Sequence, residues 1–209
     1  MRQRGAPLVT EGVLPVASRI ILVRHGRSAH VSQERWLDAA GVHRWRADYD
    51  AAGIDTASEP PPSLVEESSR ADLVVASDLA RAVASAEKLA GGRSVRVSPL
   101  LRESHLDIPT WLPARWPLTA WAIAIHFQWL GRIARGIGVH PSEAQRVSAA
   151  VDWLDEIRRE HRRIVVVTHG VFRRLLGIEL VARGWTAERR VSGYGHWSVW
   201  PYRLPGKEG

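Results

Sequence analysis

Two histidines in the sequence follow runs of β-branched residues and precede a glycine. Residues 20–26 read Ile-Ile-Leu-Val-Arg-His-Gly, and residues 164–170 read Ile-Val-Val-Val-Thr-His-Gly. Apolar runs of this length are typical of buried strands in a parallel sheet. The carboxyl ends of such strands form the ligand-binding edge of open α/β folds. We therefore expect His25 and His169 to lie at one edge of one sheet, as in an active site.

A third apolar run, residues 73–76, places an arginine at the same edge. Ser77 is a favourable N-cap, strong helix formers follow it, and Gly91-Gly92 marks a stop. Arg81 then falls in the first turn of a helix that begins where a strand ends, and Arg24 reaches the edge from the first run. Two arginines, two histidines and helix N-termini together predict a site for an oxyanion, phosphate above all.

The rest of the chain alternates strand-like and helix-like patterns. This alternation predicts a three-layer α/β sandwich. The further predicted elements are a helix or loop above the site over 32–46, a short strand at 95–97, helices over 143–161 and 172–182, and an alternating edge strand at 197–202.

Four ordered motifs carry a resemblance to a known family. They are Arg24-His25-Gly26-Arg27-Ser28, the Ser-Asp-Leu-x-Arg-Ala stretch at 77–82, Leu101-Arg102-Glu103 and Thr168-His169-Gly170. In this order they resemble the histidine phosphatase superfamily, which includes the cofactor-dependent phosphoglycerate mutases, and the chain looks like a member of its phosphatase branch. The resemblance covers about residues 19–203. It implies a phosphoglycerate mutase-like fold, with a three-layer α/β/α sandwich and a mostly parallel central sheet.

The resemblance also implies roles for the motif residues. His25 attacks phosphorus and becomes phosphohistidine, and His169 donates a hydrogen bond to a phosphoryl oxygen. Neutral imidazole suits the nucleophile because much of it is unprotonated near pH 7. The expected phosphate contacts are Arg24, Arg81, Ser28 and Gly170. We expect neither a metal nor another cofactor, since the arginines supply the positive charge that a metal would bring.

Glu103 is the predicted proton donor to the leaving group, from its place after Leu-Arg in the third motif. The sequence around it departs from the family pattern: Asp107 stands where a glycine is common, and the later Trp-Glu-Gly is missing. His105 and Asp107 are therefore alternative donors. Val31 replaces an asparagine that contacts phosphate in many relatives, and His30 beside it is either a substitute or a solvent-facing residue.

A tryptophan-rich segment at 109–138 is the part least like the family. It contains Trp111, Trp116, Trp121 and Trp129, and Thr119 is a candidate cap for a helix that is apolar almost all round. A buried helix, or one that covers the sheet or a dimer interface, is the main interpretation. The alternatives are a lid that shapes the substrate pocket and a contact with a membrane interface.

Composition limits the remaining possibilities. The 209 residues fit one domain, which we place at 19–203 between a flexible leader at 1–18 and a tail at 204–209. There is no cysteine, and the net charge of +7 suits either an anionic substrate or a solvated basic surface. Nucleic-acid binding is not expected because the arginines are scattered. We expect a cytoplasmic protein, since the first residues do not resemble a signal peptide.

These observations converge on one predicted activity. We expect a metal-independent phosphomonoester hydrolase, a phosphatase of the histidine acid phosphatase type, acting on a small phosphorylated substrate through phosphohistidine on His25. The alternatives are a phosphoglycerate mutase-like phosphotransferase and an inactive protein that binds a phospho-ligand. The absence of a long insertion after the Arg81 motif favours hydrolysis over the mutase. A homodimer stays open.

Overall fold

A six-stranded, mostly parallel sheet forms the centre of the molecule. The structure is a computed structural model that describes residues 17–31, 36–104, 106–109, 115–134, 140–189 and 193–205. The strands of the sheet are β1 (Ser18–Arg24), β3 (Leu73–Ser77), β4 (Val95–Ser98), β6 (Arg163–Thr168), β7 (Thr186–Ala187) and β8 (Val199–Leu204); β2 (Trp36–Leu37) and β5 (Trp116–Pro117) pair separately. The order across the sheet is β4-β3-β6-β1-β8-β7. The first four strands in that order are parallel, and β8 runs antiparallel to β1.

Helices cover both faces of this sheet. They are α1 (Ala39–Ala51), α2 (Pro62–Ser69), α3 (Ala80–Ala90), α4 (Leu118–Ala134), α5 (Pro141–Ile157) and α6 (Gly170–Ala182), with a 3₁₀ turn at Pro99–Leu101. The predicted three-layer α/β/α sandwich is thus confirmed. No helix among the described residues is long and apolar enough to cross a lipid bilayer.

The central strands are buried on both faces, which explains their continuous apolar runs. Along β1, Ile20 and Leu22 belong to one core cluster with α5 and α6, whereas Ile21 and Val23 belong to the other cluster with α2 and α3. Each such side chain removed from water stabilises the fold by roughly 1.5–3 kcal/mol. This double burial fixes the position of the strand that ends beside His25.

Helix α6 lies close to the sheet because of a glycine. A Cβ on Gly177 would collide with the hydroxyl of Tyr202 on β8 and would lie 3.0 Å from the Cζ atom of that ring. Both atoms of this tyrosine would have to move before a larger side chain fitted. The small residue therefore sets the distance between α6 and β8.

Three local predictions about these elements are wrong. Ser77 does not cap α3, because it ends β3 and its hydroxyl meets the ring of His169. Thr119 does not cap α4, because that helix already begins at Leu118. The strand predicted at 197–202 is β8, which is not at the edge; β1 and β7 pair with it on either side, and its first four residues are buried.

The tryptophan-rich helix α4 packs onto α1 through a small third core. This core contains Leu37, Val42, Ile108 and Trp121, and the indole N–H of Trp121 donates to the carbonyl of Leu37 at 2.8 Å. The opposite side of α4 is open, because Phe127 is 72% exposed. The helix is thus buried on one side only. Trp111 and the leader and tail residues 1–16 and 206–209 lie outside the described residues, so the predicted leader and tail stay predictions.

Candidate active site

His25 lies at the end of β1 and is 1% exposed. Its backbone N–H donates to the carbonyl of Thr168 on β6 at 3.0 Å, which ties the two strand ends together. The ring atom Nδ1 lies 2.6 Å from the carbonyl oxygen of Gly26. Because a carbonyl only accepts, Nδ1 carries the proton and Nε2 presents a lone pair. His25 is therefore held in the tautomer that a nucleophilic imidazole requires.

Gly26 holds the nucleophile in place through close packing. Its N–H donates to the hydroxyl of Ser85 at 2.9 Å. A Cβ at this position would lie 2.5 Å from the indole ring of Trp197, closer than real Cβ atoms approach other groups. Any larger residue would move the backbone directly beside His25.

His169 begins the turn into α6 and is fully buried beside His25, with ring centroids 5.0 Å apart. Its Nε2 lies 2.9 Å from the hydroxyl of Ser77. Its Nδ1 is buried and has no hydrogen-bond partner among the described residues. Buried polar atoms are rarely left unpaired, so this atom is available for an oxygen of a ligand.

The pKa values of both buried histidines lie well below 6.5. Burial is the main cause for each, and the nearby Arg81 and Arg24 guanidinium groups add to it. The carbonyl of Gly26 opposes the shift at His25 but does not reverse it. Both rings are thus neutral at pH 7, and Nε2 of His25 keeps the lone pair that an attack on phosphorus requires.

Arg81 is fully buried in the first turn of α3 and contacts the nucleophile. Its Nε donates to Nε2 of His25 at 3.3 Å. The terminal nitrogens donate to the carbonyl of Tyr49 at 2.8 Å and to the carboxylate of Asp50 at 2.9 Å. The guanidinium also lies over the Tyr49 ring, 4.3 Å from its centroid. The last turn of α1 therefore fixes this arginine against His25.

Arg24 extends from β1 along the start of α6. Its terminal nitrogen donates to the carbonyl of Tyr194 at 2.7 Å, while its buried Nε has no partner among the described residues. The guanidinium carbon would lie 3.6 Å from a Cβ on Gly170, so the two residues are in contact. Arg24, Arg81 and Gly170 all line one cavity. The structure thus brings these three predicted phosphate contacts together.

Glu103 is close to the site but occupied by another interaction. Its carboxylate accepts the backbone N–H groups of Gly170, Val171 and Phe172 at 3.1, 3.2 and 3.0 Å, and that of Ser104 at 2.9 Å. Those of Gly170, Val171 and Phe172 are the unpaired N–H groups of the first turn of α6, where a negative charge is favourable. A proton transfer from Glu103 would have to break or share these contacts.

Several other predicted residues lie away from the histidines. Ser28 forms an isolated bridge with Ile54, and its hydroxyl accepts the backbone N–H of His30. Asp107 has a side chain that is 70% exposed and lies 3.5 Å from Arg132. His105 lies outside the described residues.

Val31, which stands at the family's asparagine position, and His30 beside it differ in exposure. Val31 is 80% exposed. The ring of His30 contacts Trp45 and Tyr49 edge-on, with centroids 5.6 and 6.2 Å apart, and its Nε2 is buried. The expectation of a solvent-facing His30 is therefore wrong, because the aromatic residues of α1 cover the ring.

A cavity of about 700 Å³ opens between the predicted phosphate contacts Arg24, Arg81 and Gly170 and two helices. Helix α1 contributes Trp45 and Tyr49, which stack with ring centroids 5.1 Å apart. Helix α4 contributes Trp121, Ile125 and Trp129. The wall opposite the phosphate contacts is thus largely aromatic and aliphatic, with the arginines Arg46 and Arg174 also at its surface.

Three residues at the site were not found from the sequence. Tyr49 and Asp50 reach Arg81 from α1, and His196 lies with its ring centroid 5.7 Å from that of His25. A signal existed for His196: it precedes β8, and the start of an antiparallel neighbour meets the end of β1. Among the described residues, no group of three or more histidine and carboxylate side chains is placed to hold a metal ion.

Comparisons with known proteins identify the family of the chain. A family model described as histidine phosphatase superfamily (branch 1) matches residues 20–200. Among solved structures, "Mycobacterial hydrolase 1" is 23% identical, with 80% of this chain and 81% of that chain covered and a TM-score of 0.53. The phosphoserine phosphatase from Entamoeba histolytica is 19% identical (78% and 80% covered, TM-score 0.45), and the alpha-ribazole phosphatase from Shigella flexneri is 20% identical (78% and 79% covered, TM-score 0.43). A search of curated proteins finds no match.

Proposed function

Because the chain belongs to the histidine phosphatase superfamily, we propose that it hydrolyses phosphomonoesters through a phosphohistidine on His25, without a metal. The observation that carries the proposal is the state of the His25 ring. Its Nδ1 is bound to the Gly26 carbonyl, so its Nε2 lone pair faces Arg81, an anion-binding group at 3.3 Å. A nucleophile and a phosphate-binding arginine therefore meet at this one nitrogen atom.

The first step is the attack of Nε2 on phosphorus as the ester P–O bond breaks. Arg24 and Arg81 bind the phosphoryl oxygens, and Nδ1 of His169 donates to another of them. Such fixed donors stabilise the charge on the equatorial oxygens in the transition state. In the second step water attacks phosphorus, the P–N bond breaks, and phosphate leaves with His25 restored.

The cavity favours substrates with an apolar portion next to the phosphate. Its far wall is formed by the Trp45–Tyr49 stack and the inner side of α4. An apolar leaving group there would displace water and strengthen the arginine contacts. Helix α4 thus acts as one wall of the pocket. This role corresponds to the alternative in which the tryptophan-rich segment is a lid that shapes the substrate pocket.

A labelling experiment tests the reaction class. Wild-type protein is mixed with ³²P-labelled p-nitrophenyl phosphate in the presence of a chelator and quenched. We expect continued turnover and an acid-labile, alkali-stable label, and we expect the label and turnover to be lost in His25→Ala. Near-full turnover by His25→Ala would contradict the assignment.

The same experiment separates the two alternatives. A mutase-like phosphotransferase would pass the label to an added alcohol rather than to water. An inactive phospho-ligand-binding protein would bind phosphate but show neither label nor turnover with any phosphoester.

A further inference from the structure

A third imidazole, that of His196, stands beside the nucleophile and next to a residue whose backbone conformation few side chains adopt. His196 precedes Trp197, whose φ of 57° makes it the non-glycine residue with positive φ in the described part of the chain. Left-handed backbone is unfavourable for a bulky residue and persists only where the surroundings impose it. Such residues cluster at functional sites. The strain lies directly next to His196.

Hydrogen bonds on both sides hold this strained residue. The backbone N–H of Trp197 donates to the carbonyl of Arg24 at 3.0 Å, and its indole N–H donates to the hydroxyl of Ser58 at 3.0 Å. The backbone N–H of Arg24 in turn donates to the carbonyl of Ser198 at 3.1 Å. Arg24, the residue before His25, is thus bound through both its backbone N–H and its carbonyl to the loop that carries His196. These bonds hold the His196 loop beside His25, where the two ring centroids are 5.7 Å apart.

His196 differs from the other two histidines in its access to water. His25 and His169 are almost completely buried, whereas His196 is only partly buried and has access to solvent. A buried imidazole cannot exchange a proton with solvent without an opening of the structure. His196 can exchange one and still reach the site.

The other candidate proton donors are less well placed. The Glu103 carboxylate is held by four backbone N–H groups around the start of α6. Asp107 is exposed and lies beside Arg132. The proposed reaction nevertheless needs a proton at the leaving oxygen and later a base for water.

From this placement we propose that His196 donates the proton in the first step and accepts one in the second. This inference rests on the proposed function. As an imidazolium it gives its proton to the leaving-group oxygen while the P–O bond breaks and the P–N bond to His25 forms. As a neutral imidazole it then takes a proton from the attacking water while the P–N bond breaks. The cycle returns each histidine to its starting state and releases an alcohol and phosphate.

The charges around His196 suit this change between the imidazolium and the neutral imidazole. In the free protein its pKa is lowered by burial and by Arg24 and Arg27, and His25 is the titratable group beside it. A phosphoryl dianion bound to Arg24 cancels part of that positive charge. Substrate binding therefore raises the affinity of His196 for the proton that it must donate.

Leaving-group chemistry tests the proposal. We compare p-nitrophenyl phosphate, whose phenolate leaves without help, with p-nitrobenzyl phosphate, which has almost the same shape but needs its alkoxide protonated. In His196→Gln we expect kcat/KM to fall on the order of 100-fold for the benzyl ester and to change little for the phenyl ester. A chase of the labelled intermediate should show slower loss of phosphate from His25.

Controls keep the result decisive. His43→Gln removes an exposed histidine on α1 outside the cavity and should leave kcat/KM for both substrates unchanged. Thermal melting checks the fold of each variant, and His196→Asn serves as a second substitution. An equal loss for both esters would make His196 a phosphate contact, and no loss would make it irrelevant; either result overturns the proposal. So would a leaving-group difference in Glu103→Gln but not in His196→Gln. Absence of turnover and label in wild type would instead overturn the proposed function itself.

Discussion

The two sides of the cavity are built in different ways. The histidine side consists of strand ends and helix starts, where His25, His169 and Arg81 are almost fully buried and hydrogen-bonded to neighbouring groups. The opposite side consists of α1 and α4, which are held by a small apolar core and partly open to solvent. The rigid side suits a reaction that is the same for every phosphoester. The helical side is where substrates can be told apart.

Removing Arg81 should have the largest effect, since it belongs to the rigid side. We expect Arg81→Ala to lower kcat for p-nitrophenyl phosphate by roughly 10³-fold or more, as for other arginines that stabilise a transferring phosphoryl group. Inhibition by vanadate should weaken in parallel. Arg81→Lys should recover only part of the activity, because an ammonium cannot replace the planar guanidinium.

Arg70→Ala is the matched control, because Arg70 forms an exposed ion pair with Glu66 on α2. It should retain wild-type kinetics. Unchanged vanadate inhibition in Arg81→Ala would mean that Arg81 does not bind phosphate.

A change on the helical side should alter preference rather than chemistry. In Trp45→Ala we expect kcat/KM for p-nitrobenzyl phosphate to fall about 10-fold relative to that for glycerol phosphate, because apolar pocket contacts contribute 1–3 kcal/mol to discrimination. The measurement is the ratio of the two kcat/KM values.

Trp116→Ala serves as the control for Trp45→Ala. Trp116 is 42% exposed, belongs to the short β5 strand and is not among the residues that line the cavity. Equal losses for both substrates in Trp45→Ala would show that the α1–α4 wall only supports the fold.

The smallest effect is on stability and comes from the rigid side. The folded pKa values of His25 and His169 lie well below 6.5, so below that pH the unfolded chain binds more protons than the folded one. The stability that the two neutral histidines contribute to the folded state is fully present above pH 6.5. It is lost as the pH falls towards their folded pKa values. Urea unfolding at pH 7.5 and 5.5 should show a lower free energy of unfolding at pH 5.5.

A double variant isolates that contribution. His25→Gln combined with His169→Gln should reduce the difference between the two pH values, because neither glutamine titrates. The same pH dependence in both proteins would assign the effect to other groups.

The rigid side was also the more predictable one. His25, His169 and Arg81 each follow a strand run in the sequence, and strand ends of a parallel sheet meet at one edge whatever the details of packing. Local capping was less predictable. Ser77 has the side chain of an N-cap, but tertiary contact with His169 takes its hydroxyl.

Other parts of the site depended on contacts that no local pattern contains. Asp50 meets Arg81 only because α1 packs over α3, and the Glu103 carboxylate is drawn to α6 by unpaired N–H groups far along the chain. His196 required knowing that β8 is antiparallel to β1. The alternation of its residues indicated a strand but not its direction.

The glycine in the middle of α6 has a consequence for how this fold tolerates change. A helix advances 1.5 Å and turns 100° with each residue, so a slip of one residue would carry the start of α6 away from the end of β1. The contact of Gly177 with Tyr202 restricts how α6 can pack on the sheet. A residue two helical turns beyond His169 thus affects how closely α6, which begins after His169, lies against the sheet. We therefore expect a larger side chain at position 177 to disturb an active site that it does not touch.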